Sequence, residues 1–110
     1  MEVKKEHQDR AYATKFVVES DGNVAGRGYL YIIYNDLHDL PYGLVEDVFV
    51  EEDFRRKGIG TKLMNSIIDE AKNIGCYKII AQSRHDRREA HEFYDSMGFH
   101  NHGLNFRMDW

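Results

Sequence analysis

A mixed α/β (α+β) sheet with helices packed on it is the fold class this chain predicts, and three observations predict it. An Asp21-Gly22-Asn23 turn signal separates two segments rich in Val, Tyr and Ile. An apolar segment at residues 44–50 is followed by a helical period over 59–74 and a second apolar segment at 77–81. A short helical pattern over 89–97 then stops at Gly98. Strands joined by a two-residue turn pair antiparallel, whereas a strand–helix–strand unit pairs its strands in parallel through a right-handed crossover. All of this fits one domain over residues 1–110, a common size for a single core.

Each element has its own local reason. Residues 12–19 read as the first strand, and residues 24–34 as its hairpin partner. Gly26 and Gly28 inside the partner signal a bulge or a close backbone approach. Residues 44–50 form the third strand. In the long helix Ile59, Leu63, Met64, Ile67, Ile68, Ala71 and Ile74 recur on one face, and Gly75 ends it. Residues 77–81 read as a buried strand. Leu104, Phe106, Met108 and Trp110 alternate with Asn105, Arg107 and Asp109, which predicts a terminal strand with one apolar face. The single proline, Pro41, lies in the one long connection.

Composition narrows the function classes. Hydrophobic content of 42% and charged content of 31% are those of an ordinary soluble protein. No apolar run approaches the roughly 18 residues of a membrane span, and the N-terminal stretch lacks a signal-peptide core, so no membrane partner is expected. Cys76 is the only cysteine, which excludes an intramolecular disulfide and points to a reducing cytoplasm. A net charge of −4 argues against general nucleic-acid binding. His85, His91, His100 and His102 lack the H-E-x-x-H spacing of a helical zinc site, so no metal is expected. Cys76 opens a strand in an apolar setting and reads as core, not as a nucleophile.

The densest information lies in residues 48–63, VFVEEDFRRKGIGTKL. A strand runs into a basic, glycine-spaced turn, and a helix starts at once. The first turn of a helix has four N–H groups without intrahelical partners and a dipole that favours negative charge. Gly58 and Gly60 carry no Cβ, and Arg55, Arg56 and Lys57 sit just upstream, so the turn is built to cradle a diphosphate. The dinucleotide pattern G-x-G-x-x-G fails at Leu63, and the nucleotide P-loop fails because Lys62 follows Thr61. The pattern that fits is R-x-x-G-x-G, at Arg55, Gly58 and Gly60.

That loop resembles the coenzyme-A loop of the GNAT superfamily of acyl-CoA-dependent N-acyltransferases, and the order of elements over residues 43–110 resembles it as well. GLVEDVFV, FRRKGIG, TKLMNSIIDEAKNIG, CYKIIAQS and EAHEFYDSMGF follow one another as the family's strand, loop, helix, strand and Phe-Tyr…Gly-Phe helix do. The resemblance implies a GNAT fold with a mixed central sheet flanked by helices. With few residues before the hairpin, the family's N-terminal helices are expected to be shortened or absent. An open acceptor side, or a homodimer that walls it, follows as an expectation. The implied activity is N-acetyl transfer from acetyl-CoA to a small primary amine, by direct attack in a ternary complex. The alternative is a non-catalytic acyl-CoA-binding or sensor domain.

The resemblance also implies roles at named positions. Main-chain N–H groups of Arg56, Lys57, Gly58, Ile59, Gly60 and Thr61 would hold the diphosphate, with Arg55 at the head of the loop. Val48, Phe49 and Val50 would pair with the pantetheine arm as an added strand, and one of their N–H groups would polarise the thioester carbonyl. Tyr94 stands at the signature tyrosine and would protonate the departing thiolate; the plainer reading is a core tyrosine. Glu46 and Asp47 are the candidate bases or amine anchors, and neighbours on a strand point to opposite faces, so one of them is expected at the cleft. Arg87 replaces the asparagine that relatives often carry there. It cannot accept a hydrogen bond, and a phosphate contact is the expectation for Arg87 or Arg88. The Glu46-Asp47 pair resembles the glucosamine-6-phosphate branch of the family, whereas SRHDRREAHEFY resembles small bacterial amine acetyltransferases.

Overall fold

The computed structural model describes residues 1–110, arranged as β1 (Ala11–Ser20), β2 (Asn23–Ile33), β3 (Tyr42–Val50), α1 (Ile59–Ile74), β4 (Ile79–Ala81) and α2 (Arg88–Ser96). The sheet order is β1-β2-β3-β4. The first two pairings are antiparallel and the third, across α1, is parallel. Asp21 and Gly22 form the two-residue hairpin turn with φ of 52° and 79°. Positive φ at both central positions is what a turn matching the twist of two strands demands, and an Asp-Gly pair tolerates it.

Alternation along the strands assigns two faces. Leu30 and Ile32 of β2 and Val45 of β3 are buried against Leu63, Met64, Ile67 and Ala71 of α1, which form the core. Phe16, Val18, Val48, Ile79 and Ala81 pack around that cluster, as do Phe93, Tyr94 and Met97 from α2 and its C-cap. Both helices therefore serve the same core. α1 ends as its sequence predicts: Gly75 is left-handed at φ 98°, and Cys76 N–H donates to the Ala71 carbonyl at 3.0 Å, closing a Schellman cap. The opposite face of the sheet carries Tyr29 and Tyr31, whose rings stack 6.4 Å apart, and Arg27.

β3 contains the feature that positions the site. Arg27 pairs with Phe49 while Tyr29 pairs with Glu46, so Asp47 and Val48 together stand opposite Gly28. This is a β-bulge, and Asp47 occupies it at φ 52°. A methyl on Gly28 would lie 3.1 Å from Ile67 Cδ1 and 3.3 Å from Val48 Cγ2, so the glycine leaves room for the bulged strand to press inward. β4 accompanies β3 over three residue pairs, Gly43↔Ile79 to Val45↔Ala81, and the ladder stops there. Beyond Val45, β3 is paired through β2 alone.

Two expectations are corrected. The residues after Ser96 form no helix or strand, and Leu104, Phe106, Met108 and Trp110 are exposed. Period-2 alternation states a preference for pairing, but a strand needs a neighbouring edge, and none meets this segment. The β4 strand also begins at Ile79, with Tyr77 and Lys78 exposed before it.

Gly43 sits at the crowded start of the parallel ladder, where a methyl would stand 2.9 Å from Leu30 Cδ1 and 3.0 Å from Ile79 Cγ2. Gly43→Ala is expected to lower unfolding stability by about 1–3 kcal/mol, the usual cost of overpacking, as measured by urea denaturation.

Candidate functional site

β3 and β4 run parallel, so the loops that leave their C-terminal ends, residues 51–58 and 82–87, emerge at the same end of the sheet. The first loop makes a short 3-10 turn at Glu52–Phe54 and then enters the left-handed region twice, at Arg56 (φ 64°) and Gly58 (φ 77°). A chain that turns this way directs successive N–H groups toward a common point. None of the six main-chain N–H groups of residues 56–61 donates a hydrogen bond within the chain, and Lys62 N–H to the Gly58 carbonyl is the first that does. Six free donors at a helix N-terminus offer the hydrogen bonds and partial positive charge that an anion needs.

The loop is tied to the strand before it. Arg55 donates from Nε to the Val50 carbonyl at 2.9 Å, and its guanidinium lies 5.4 Å from the Phe49 ring centroid. Part of its capacity is thus used inside the chain, whereas Arg56 and Lys57 are exposed beside the free amides. A methyl on Gly60 would lie 3.8 Å from Val50 Cγ2 and 3.9 Å from the Phe93 ring. The end of β3, the first turn of α1 and the body of α2 therefore meet at Gly60.

Tyr94 follows Phe93 on α2 and is half-buried, its ring set edge-on to Phe99 at 5.4 Å. Burial pushes its phenol above the ordinary range, the nearby Glu46 carboxylate pushes it further in the same direction, and the Arg87 guanidinium pulls it back. The Tyr94 phenol thus feels one charge of each sign, with burial the larger effect. A raised phenol pKa keeps Tyr94 neutral at every physiological pH. The stability this contributes is fully present below the ordinary phenol value and is lost as pH rises through the folded one.

Glu46 and Asp47 do not divide between core and cleft as strict alternation demands, because the bulge separates them. Neither faces the core. Asp47 turns to Arg27, which donates from Nε to Oδ2 at 3.2 Å and from Nη2 to Oδ1 at 3.3 Å. That hydrogen bond is the main reason the Arg27 guanidinium is held above its usual range. Glu46 pairs with Tyr29 across the strands and is half-buried. Val48 packs on the core, Val50 faces Gly60 at the start of α1 and Phe49 points away, and all three lie in the segment that β4 does not cover.

Arg27 was not among the residues the sequence singles out. Its signal was an arginine set between two glycines, Gly26-Arg27-Gly28, in an otherwise apolar strand. Among the histidines, His91 bonds the Arg84 carbonyl at 2.8 Å, while His100 and His102 sit edge to edge on the surface. Cys76 is partly buried, which pushes its thiol up.

Residues 1–99 match the Acetyltransferase (GNAT) family. Glucosamine 6-phosphate N-acetyltransferase of Arabidopsis thaliana is 30% identical over 101 residues, covering 86% of this chain and 66% of the relative. Aminoglycoside N(6')-acetyltransferase type 1 of Acinetobacter genomosp. 13 is 31% identical over 70 residues, 64% of this chain and 48% of the relative. The chain thus spans 66% of the first relative's length and 48% of the second's. A crystal structure of the Arabidopsis thaliana glucosamine-6-phosphate enzyme superposes with a TM-score of 0.80 at 28% identity, over 89% of this chain and 67% of that one.

The two loop glycines separate folding from anion binding. Gly58→Ala forces an alanine to φ 77° and is expected to cost about 1–2 kcal/mol of stability. Gly60 is helical with ordinary space around it, so Gly60→Ala is expected to leave stability unchanged or raise it by up to about 1 kcal/mol. Urea denaturation of both variants checks the contrast.

Proposed function

Because the chain belongs to the GNAT acetyltransferase family, we propose that it transfers an acetyl group from acetyl-CoA to the primary amine of a small acceptor. The observation that carries this reading is the run of six unpartnered amides over residues 56–61, set against Tyr94 through the Gly60–Phe93 contact. Those amides, with Arg56 and Lys57, take the diphosphate, and Arg87 at the neighbouring loop supplies further positive charge. The β3 edge that β4 leaves free over residues 46–50 accepts the pantetheine amides as an added strand. An N–H on that edge polarises the thioester carbonyl.

The amine nitrogen attacks the thioester carbonyl carbon, the C–S bond breaks, and the thiolate takes the Tyr94 hydroxyl proton. The nitrogen loses its surplus proton to Glu46, directly or through water. An amine of pKa near 10 is mostly charged at neutral pH, so the ammonium first gives one proton to solvent water, and Glu46 takes the second after the neutral amine has attacked. The two transfers assist one another. Proton uptake by Glu46 removes the negative charge that holds the proton on Tyr94, which makes Tyr94 a better acid as the thiolate departs. Asp47, paired to Arg27, is left a supporting role. The named acceptors of the relatives are amino sugars, which makes glucosamine 6-phosphate and an aminoglycoside the first amines to try.

Tyr94→Phe is expected to lower kcat by about 10²- to 10⁴-fold, the range for a lost general acid, while the Kd for acetyl-CoA moves less than about twofold. Thiol-release kinetics and calorimetry measure the two quantities. Full activity in this variant would remove the assignment, and tight coenzyme binding with no thiol release from the wild type would leave a binding domain in place of an enzyme.

The charges around Tyr94 give a second expectation, with opposite signs. Glu46→Gln removes a negative neighbour, so the Tyr94 phenol is expected to ionise at lower pH than in the wild type. Arg87→Gln removes a positive one and is expected to move it higher. Phenolate absorbance titrated against a Tyr94→Phe background reads both shifts.

A further inference from the structure

Arg27 stands apart from every residue that the acetyl-transfer reading uses, yet it touches two parts of the strand that the reading depends on. Its fork holds both carboxylate oxygens of Asp47, at 3.2 and 3.3 Å. Its guanidinium carbon also lies 4.9 Å from the centroid of the Phe49 ring. Asp47 is the left-handed residue of the β3 bulge, and Phe49 is the first residue after it whose pairing with β2 resumes, opposite Arg27 itself. One side chain therefore grips the bulge on its distorted residue and on the strand that leaves it. Phe49 passes the restraint on, since Arg55 lies over the same ring and bonds the Val50 carbonyl at the head of the amide loop.

We infer that Arg27 is a positioning residue for acetyl transfer, holding the Asp47 bulge so that Glu46 and the free β3 edge keep their places relative to Tyr94. The inference rests on the acetyl-transfer reading and adds to it a part played from the face of the sheet remote from the core. The geometry of the bulge gives such a latch something to hold. A non-glycine residue at φ 52° sits in a region that few side chains populate, and a strand that has lost β4 as a neighbour lacks the ladder that would hold it straight. Asp47 cannot serve as the base while both its oxygens face a guanidinium. Its carboxylate is the other half of the latch. A lysine at position 27 would keep the charge but offer no planar fork to two oxygens at once.

The test is a double-mutant cycle on Arg27→Gln and Asp47→Asn, with Arg27→Lys as the conservative variant. Each single variant is expected to lower kcat by about tenfold to a hundredfold, the scale of a misplaced catalytic group, with the KM for acetyl-CoA changed less than about twofold. The double variant is expected to be no worse than the poorer single, because both remove one latch. Arg27→Lys recovers part of the loss. Unchanged kcat in Arg27→Gln would overturn the inference while the wild type still turns over. So would an Asp47→Asn loss far beyond that of Arg27→Gln, since Asp47 would then act on the substrate itself. A wild type that binds coenzyme and acetylates no amine sinks the underlying reading first, and this inference with it. Thermal unfolding of each variant separates a misplaced strand from a lost fold; should Arg27→Gln not fold, Arg27→Lys and Asp47→Asn carry the same comparison.

Discussion

One surplus residue in β3 governs the geometry of this molecule. Opposite Gly28 the strand fits two residues where its partner has one, and the consequences run in both directions along it. Before the bulge Val45 points to the core, and after it Val48 packs on the core and Val50 against the start of α1, so the phase of the strand has been reset, with Phe49 left exposed on the other face. The same displacement carries β3 away from β4 after three residue pairs. A sheet interior would otherwise pair every amide, and here a stretch of strand is left with an open side in the middle of the fold. Gly28 makes this possible by leaving space, and Asp47 by accepting a backbone conformation that a β-branched residue would resist.

Cations gather around that opening, among carboxylates at Glu51, Glu52, Asp53 and Asp86. The chain as a whole is acidic, at −4, but Arg56, Lys57, Arg84, Arg87 and Arg88 gather in or beside the two loops at the C-terminal ends of β3 and β4. Free amides in the first loop add the partial positive charge of a helix start. Glu46 is the carboxylate whose charge raises the Tyr94 phenol, and it stands next to the bulge. Tyr94 is kept neutral by burial and biased by one charge of each sign.

How far the sequence could be read depended on whether a property was local. The hairpin turn, the one-sided helix and its glycine stop are each decided within a few residues, and each stands where Asp21-Gly22, the Ile59 to Ile74 period and Gly75 put it. The basic glycine turn was legible too, because a strand, a kink and a helix start are all written in sequence. What escaped was non-local. Gly26 and Gly28 announced close packing, but the extra residue lies on the strand opposite, and only pairing reveals it. Arg27 meets Asp47 across twenty positions, so nothing near it in the chain pointed to its partner. Arg55 was expected to serve an anion and spends its Nε on its own strand. The terminal alternation of Leu104, Phe106, Met108 and Trp110 failed for the same reason in reverse, being a local preference with no distant edge to satisfy it.

The brevity of the β3–β4 ladder has a mechanical meaning. Through three residue pairs and the side-chain packing around them, β4 and the helix bearing Tyr94 are moored to a sheet whose other two seams run about ten and seven pairs long. Thermal fluctuation selects the weakest seam, and in this molecule that seam borders the cleft. Amides of β4 should therefore trade their hydrogens with solvent sooner than those of β2.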